Sequence, residues 1–384
     1  MDLKRNYYED IKLIKSNFIG IWSLLLLVFL FFFPLFVENF YAHIASVLLI
    51  NVIIAIGLNI LVGYTGQVSL GHAGFLAIGA YTSVILVMKA GFPFLIALPM
   101  AGLVSALFGF VLGLPALRME GPYLAIATLG FGIAIEQVLG VWDTVLGLFV
   151  GFINYFVNLP AHIAFFFTRA ESAEKFIPTL DIGPYLGFLE GLTGGRMGLK
   201  TPAFSIFETM DTEIALGFIK LTSDKQMYYF VLIITIILVL FAINLMKSRI
   251  GRAFIAIRDS EVAAETVGVN LTYYKTLAFA ISAFYAGVAG ALGAHLFQFI
   301  APVQYNLIAS ITMLAIIVVG GLGSIIGSIL GAILFTILPQ ILSKYGEYNV
   351  IVTGAIMVVI VMLEPLGLRG IWIRIKIYWK MWPF

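Results

Sequence analysis

The chain has 384 residues, of which 61% are hydrophobic and only 11% charged, against roughly 25% charged residues in soluble domains. Its formal net charge of +2 is scattered rather than gathered in a stripe, which argues against nucleic-acid binding. The absence of cysteine excludes disulfides, thiol catalysis and thiolate metal sites.

A soluble exterior cannot hide this much apolar surface, whereas lipid is itself an apolar solvent. The composition therefore predicts an all-α, polytopic membrane protein forming a single transmembrane domain over 1–384. Lys4, Arg5, Lys12 and Lys15 precede an apolar run from Phe18 to Val37. That run, about 20 residues, is long enough to span and longer than the core of a cleaved signal peptide; it reads as a retained first helix. Further spanning stretches lie near 43–62, 70–88, 94–117 and 122–142, then near 227–246, 273–296, 306–323, 325–343 and 347–365. That makes about ten helices.

An N-terminus inside puts Arg118, Lys247, Arg249, Arg252 and Arg258 in cytoplasmic loops, and an even count also brings Arg369, Arg374, Lys376 and Lys380 inside. Only Lys89 and Lys344 then remain in short outer loops, the asymmetry the positive-inside rule requires. Residues 143–226 become an extracytoplasmic insertion. Within it, 150–167 is apolar but interrupted by Asn154, Asn158, Pro160 and His162, a pattern that suits an interfacial or re-entrant element.

Gly57–Ala80, GLNILVGYTGQVSLGHAGFLAIGA, carries Asn59, Gln67, Ser69 and His72 at membrane depth among many glycines. Two readings satisfy it: a broken helix lining a cavity, or an interfacial loop with small residues for helix packing. Gly109-x₃-Gly113, Ala286-x₃-Gly290-x₃-Ala294 and Gly323-x₃-Gly327-x₃-Gly331 read as packing stripes. Glu136 is the clearest acid within a span, so it faces a cavity, a partner or, near the outer end, water. His43, His72, His162 and His295 are single, with no pair at ligand spacing, so no metal site is expected.

Residues 247–270, KSRIGRAFIAIRDSEVAAETVGVN, are richer than a connector needs. The segment predicts a short helix with a charged surface at Arg258, Asp259, Glu261 and Glu265, and apolar knobs at Phe254, Ile255 and Ile257. A docking element for a soluble partner is the leading reading; a solvated linker or a headgroup helix remain alternatives. No Gly-Lys pair occurs, so the chain lacks a phosphate-cradling P-loop and any ATP would be hydrolysed by another chain.

The stretches GLNILVGYTGQVSLGHAGFLAIGAY, GPYLAIATLGFG, SRIGRAFIAIRDSEVAAETVGVNLTYYKTLAFAISAFYAGVAGAL and IVVGGLGSIIGSILGAIL together resemble LivM-type permeases of branched-chain amino acid ABC importers. TGGRMGLKTP is similar to a Gly-rich external motif of that family. The resemblance implies a non-enzymatic import subunit without cofactors, in a bacterial or archaeal cell membrane. It would pair with a homologous second permease and two cytoplasmic ATPases, and receive substrate from a periplasmic or lipid-anchored binding protein. It also implies ATPase docking through Gly251, Arg252, Ala256, Arg258, Asp259, Glu261, Ala264, Glu265 and Gly268. Asn59, Gln67, Ser69, His72 and Thr128, with Glu136, are the candidates for the substrate path, because polar groups at depth face cavities.

Two departures stand out. Where the family often has an acid followed three residues later by a base, this chain has Ile133 and Glu136, then Gln137, so the basic partner is missing. The external segment is also long. Related permeases carry urea or short amides, and no residue here discriminates among these. A stand-alone secondary carrier is the competing class; it usually needs midplane ionisable groups, and this chain offers few beyond Glu136.

Overall fold

A computed structural model describes residues 17–116, 119, 121–157, 191–201, 214–216, 219–221, 223–343, 348–364 and 366–381. Lys4, Arg5, Lys12, Lys15, Arg118, Lys344 and most of 150–167, with Asn158, Pro160 and His162, lie outside the described residues.

The architecture is helical almost throughout. In chain order the apolar helices are α1 (Asn17–Phe36), α2 (Asn39–Asn59), α3 (His72–Met88), α4 (Phe94–Ala116), α5 (Pro122–Gly140) and α6 (Trp142–Val157). After a short 3₁₀ turn at Gly195–Met197 and the small strands β1 (Leu199–Lys200), β2 (Ile214–Leu216) and β3 (Ile219–Leu221) comes α7 (Ser223–Lys247). Two short helices follow, α8 (Arg249–Asp259) and α9 (Glu261–Thr266), and then α10 (Leu271–Phe297), β4 (Phe299–Ile300) and a second 3₁₀ turn, Pro302–Tyr305. The chain closes with α11 (Leu307–Gly320), α12 (Ile325–Leu342), α13 (Tyr348–Leu363) and α14 (Leu368–Met381).

Each of the ten apolar stretches read from the sequence coincides with one of these helices. By length and composition alone, six helices are long and apolar enough to cross a membrane: Asn39–Tyr64, Phe94–Pro115, Pro122–Gly140, Asp224–Lys247, Leu271–Phe297 and Ile325–Leu342. Shorter apolar segments are Leu24–Phe36, His72–Met88, Trp142–Asn154 and Leu307–Gly320. The multi-pass membrane class stands.

α2 and α10 form the centre; their apolar windows are the most buried of all spans. α10 packs most extensively on α4 and α3, and the reason lies in its small residues. Gly287 presses against Ser105 and the backbone of α4, while Gly79 of α3 meets the Gly287 backbone. Close backbone approach compensates for the missing hydrophobic drive between helices in lipid by adding dispersion contacts. α11 and α12 meet the same way through Gly320, Gly327 and Gly331. By contrast Leu24, Phe29, Leu95 and Leu107 are exposed, as lipid-facing side chains should be.

Contacts sort the connections into two ends. At one end the C-terminus of α2, the 321–324 turn, α8 and the start of α14 meet: Arg258 Nη1 donates to Gly63 O at 3.1 Å and Arg369 Nη1 to Gly323 O at 3.3 Å. There too, buried Glu364 accepts from Arg374 Nη2 at 2.8 Å. At the other end the 191–201 segment is tied to the end of α10. β1 pairs antiparallel with β4, Leu199 opposite Ile300, Thr201 Oγ1 donates to Ala294 O at 2.9 Å, and Asp143 Oδ1 accepts from Gly191 N at 2.9 Å.

Candidate functional site

α2 does not stop cleanly. It ends in a π-helical turn over Ile60–Tyr64, and residues 65–71 then run without helix until α3 begins at His72. π turns leave the backbone ladder widened and often mark functional positions. Gly66 sits at φ +74°, a conformation costly for any residue with a Cβ, and its Cα lies against the Arg258 side chain.

Backbone groups of this break are supported one by one. Gly66 N donates to Val62 O and Gln67 N to Leu61 O. Leu70 N donates to Thr128 Oγ1 at 3.0 Å, and Thr128 Oγ1 itself donates to Ala125 O. Ala73 N, a free donor of the first turn of α3, finds Ser310 Oγ at 3.0 Å. On α5 the buried residues are Leu124, Thr128 and Gly132, one face at four-residue spacing; Gly132 and Gly71 touch with no room for a side chain on either.

The polar candidates therefore divide. Asn59, 1% exposed, is fully engaged: its Nδ2 donates to Ser324 O at 3.0 Å and Ser328 Oγ at 2.7 Å, and its Oδ1 accepts from Gly323 N at 2.9 Å. It braces the 321–328 turn against α2. Thr128 likewise spends its hydroxyl on the break. Gln67, Ser69 and His72 behave differently. All three are buried, yet Gln67 Oε1, Ser69 Oγ and both ring nitrogens of His72 have no hydrogen-bond partner among the described residues. An unpaired buried polar atom costs about 1–3 kcal/mol, so grouping three such side chains within six residues is a sustained expense with no structural return. Glu136 stands apart, half-buried at the opposite end of α5.

The bracing role of Asn59 gives a direct expectation. Asn59→Ala strands the Gly323 amide and strips an acceptor-rich turn of its donor, and should lower stability by about 2–4 kcal/mol. Thermal unfolding of the purified protein in detergent measures it; an unchanged midpoint would show that the turn stands by itself.

The other candidate surface is the 247–270 segment. It folds as a helix–turn–helix, where the sequence suggested one short helix. Ser248 caps α8 by accepting from Ile250 N at 3.1 Å, and Ser260 caps α9 by accepting from Ala263 N at 3.2 Å. Asn270 Oδ1 then caps α10, accepting from Tyr273 N at 3.0 Å; each such cap contributes about 1 kcal/mol. α9 ends with Gly268 N bonded to Glu265 O and Val269 N to Ala264 O, a Schellman closure that needs the positive φ of Gly268, +85°.

The knobs reverse the expectation. Phe254 and Ile257 are buried, because the amphipathic α8 turns its apolar face onto α7 and α10. Gly251 and Ala264 are buried with them, and Ala256 is half-buried. Glu261 points inward too, accepting from Lys275 Nζ at 2.5 Å, with the lysine side chain only 6% exposed. Outward lie Arg252, Asp259, Glu265 and Gly268, together with Val262 and Val267, 75% and 76% exposed. Those two valines escaped sequence reasoning, although their polar flanks in a short capped helix were a usable signal. Arg258 is divided: Nε and Nη2 donate to Asp259 Oδ1, while Nη1 reaches Gly63.

Of the other histidines, His295 is a satisfied core residue, its Nε2 3.1 Å from Ser83 Oγ and its ring 4.1 Å from that of Phe94. His43 lies 4.0 Å from Asp224. Among the described residues no group of three His, Asp or Glu side chains could hold a metal.

Comparison with known proteins identifies the family of the chain. The family model described as branched-chain amino acid transport system / permease component matches residues 40–361. The chain is 35% identical over 345 residues to the high-affinity branched-chain amino acid transport system permease protein LivM of Salmonella typhimurium, covering 89% of this chain and 73% of that protein. It is 34% identical over the same length, with the same coverage, to the LivM of Escherichia coli K12. No solved structure matches.

Proposed function

Because the chain belongs to the family of branched-chain amino acid transport permease components, we propose that it is a transmembrane subunit of an ATP-driven importer of aliphatic amino acids. It works in the cell membrane beside a second, homologous permease. Two cytoplasmic ATPases bind the α8–α9 unit, and a binding protein delivers substrate to the opposite face. Ten helices cross the bilayer with both termini cytoplasmic. The gathering of Arg249, Arg252, Arg258, Arg369 and Arg374 around one end of the bundle supports that orientation. Residues 143–226 form the outer insertion, with α6 leading into it.

One observation carries the reading. The α8–α9 unit is capped, rigid and charged outward, and its Arg258 is bonded directly to the broken end of α2. A docked ATPase that moves this unit therefore moves the segment bearing Gln67, Ser69 and His72. Rigid helices that shift against packed neighbours are a standard carrier of such motion.

Co-purification from the native membrane tests the assembly: two ATPase chains and a second permease are expected to accompany this one. A chain arriving alone, or transporting in liposomes without ATP, would overturn it. Within the assembly, Val262→Asp with Val267→Asp should abolish ATPase retention, since charges replace apolar contact area at an interface centre. The same pair should leave insertion intact. Full ATPase retention would move the docking surface elsewhere.

A further inference from the structure

A cavity lies at the C-terminal end of α5, where the 191–201 segment folds over that helix. It measures about 460 Å³ and is lined by Glu136, Gln137, Gly140, Arg196, Pro302 and Val303. Its two charges come from different parts of the chain. Glu136 is on the last turns of α5, and Arg196 is in the 3₁₀ turn that follows the Gly-rich stretch. Neither forms an ion pair with a described residue.

Gly140 follows Glu136 by four residues and so shares its helix face. The stem of Arg196 passes alongside it, its Cγ 3.6 Å from where a Cβ would stand, an ordinary van der Waals approach. The Arg196 stem therefore lies against the face of α5 that carries Glu136 one turn earlier. The cavity thus takes its acid from the helix and its cation from the external segment.

That segment is not loosely placed. Its backbone is held by the Leu199–Ile300 pairing, by Thr201 on Ala294 and by Gly191 on Asp143. Gly195 N is held by Thr193 Oγ1. A cavity with a carboxylate and a guanidinium on separate, anchored elements, and apolar Pro302 and Val303 beside them, suits a ligand that carries both charges and an apolar group. An α-amino acid zwitterion presents an ammonium to the acid and a carboxylate to the planar fork of the arginine. Its aliphatic side chain meets the apolar wall.

We infer that this cavity is an outer binding site for aliphatic α-amino acid zwitterions, with Glu136 taking the ammonium and Arg196 the carboxylate. The inference rests on the proposed transport function and names the groups that first receive the substrate on this chain. It also gives the external Gly-rich segment a purpose: carrying the cation of the site.

The chain has no cysteine, so a single reporter thiol can be introduced without background. In the assembled transporter, Val303→Cys is labelled with a small thiol reagent in the presence of leucine, 3-methylbutylamine or 4-methylpentanoate. Gln137→Cys serves as a second reporter on the opposite wall should the first fail to assemble. Leucine should protect the thiol, and the two half-ligands should not at the same concentration. Glu136→Gln or Arg196→Gln should raise the leucine concentration needed for protection by about tenfold or more, the size of one charge-assisted hydrogen bond. Arg196→Lys should recover part of it.

Equal protection by leucine and a half-ligand, or protection unaffected by both charge removals, would overturn the site. ATP-driven leucine uptake is measured on the same preparations. Uptake without protection rejects the site alone, whereas no uptake by the complete unsubstituted assembly rejects the transport reading itself.

Discussion

Replacing Arg258 by alanine is expected to leave the ATPases bound but to cut ATP-driven uptake by about tenfold or more, the equivalent of one charged hydrogen bond. Arg258 Nη1 donates to Gly63 O at 3.1 Å, on the π turn where α2 gives way to the 65–71 segment. The same guanidinium is steadied by Asp259 Oδ1 at 3.0 and 3.2 Å. One side chain thus ties α8 to the segment carrying the unpaired polar groups. Alanine removes that tie but not the outward surface formed by Val262, Glu265 and Val267. ATP hydrolysis should continue and become futile. Arg258→Lys should recover little, because a single ammonium cannot hold Asp259 and reach Gly63 with the same planar fork. Hydrolysis and uptake measured together on purified, reconstituted complex decide the matter. Loss of the ATPase on co-purification would make Arg258 a docking residue instead, and undiminished coupling would remove its role altogether. The contrast with the paired valine substitutions is the internal control, since those should fail at binding and this one after it.

Much of the scaffold was legible in the sequence because lipid imposes a simple rule. A backbone in hydrocarbon must satisfy its own hydrogen bonds, so long apolar runs become helices wherever they fall. The positions of α2, α4, α7, α10 and α12 follow from run length alone. The caps of α8, α9 and α10 were equally local, resting on Ser248, Ser260 and Asn270. What could not be read was direction and partnership. Phe254 and Ile257 looked like knobs, yet which way an amphipathic helix turns depends on the neighbours it meets. Asn59 looked like a path residue, but its partners lie more than 260 residues away in sequence, at Gly323 and Ser324. Lys275 gave no sign of pairing with Glu261 before the chain was folded. Arg196 and Glu136 line one cavity because β1 pairs with β4 and because Thr201 and Gly191 are held at Ala294 and Asp143. Long-range pairing leaves no local periodicity, and it decides most of the site.

His72→Phe is expected to raise stability slightly while lowering uptake by about tenfold or more, and the opposed signs are the diagnostic. His72 is fully buried, both its ring nitrogens are unpaired among the described residues, and its ring lies 5.9 Å from that of Phe75. Phenylalanine keeps the aromatic contact with a somewhat larger ring, and removing two buried polar atoms recovers about 1–3 kcal/mol, which overpacking offsets only in part. If the histidine served only packing, the variant would be at least as active. If the unpaired atoms at Gln67, Ser69 and His72 find their partners when the 65–71 segment moves or substrate passes, the variant loses that interaction in the state that matters. The gain in one state and the loss in the other then have the same origin. Gln67→Leu tests the same logic on an independent side chain, with the same two readouts: thermal midpoint in detergent and ATP-driven uptake in the assembled complex. Raised midpoints with full uptake in both variants would reassign the cluster to packing. Lowered midpoints would mean the polar atoms already have partners in the folded chain. Raised midpoints with lost uptake would place the substrate-responsive segment between Gln67 and His72, beside the π turn that Arg258 holds.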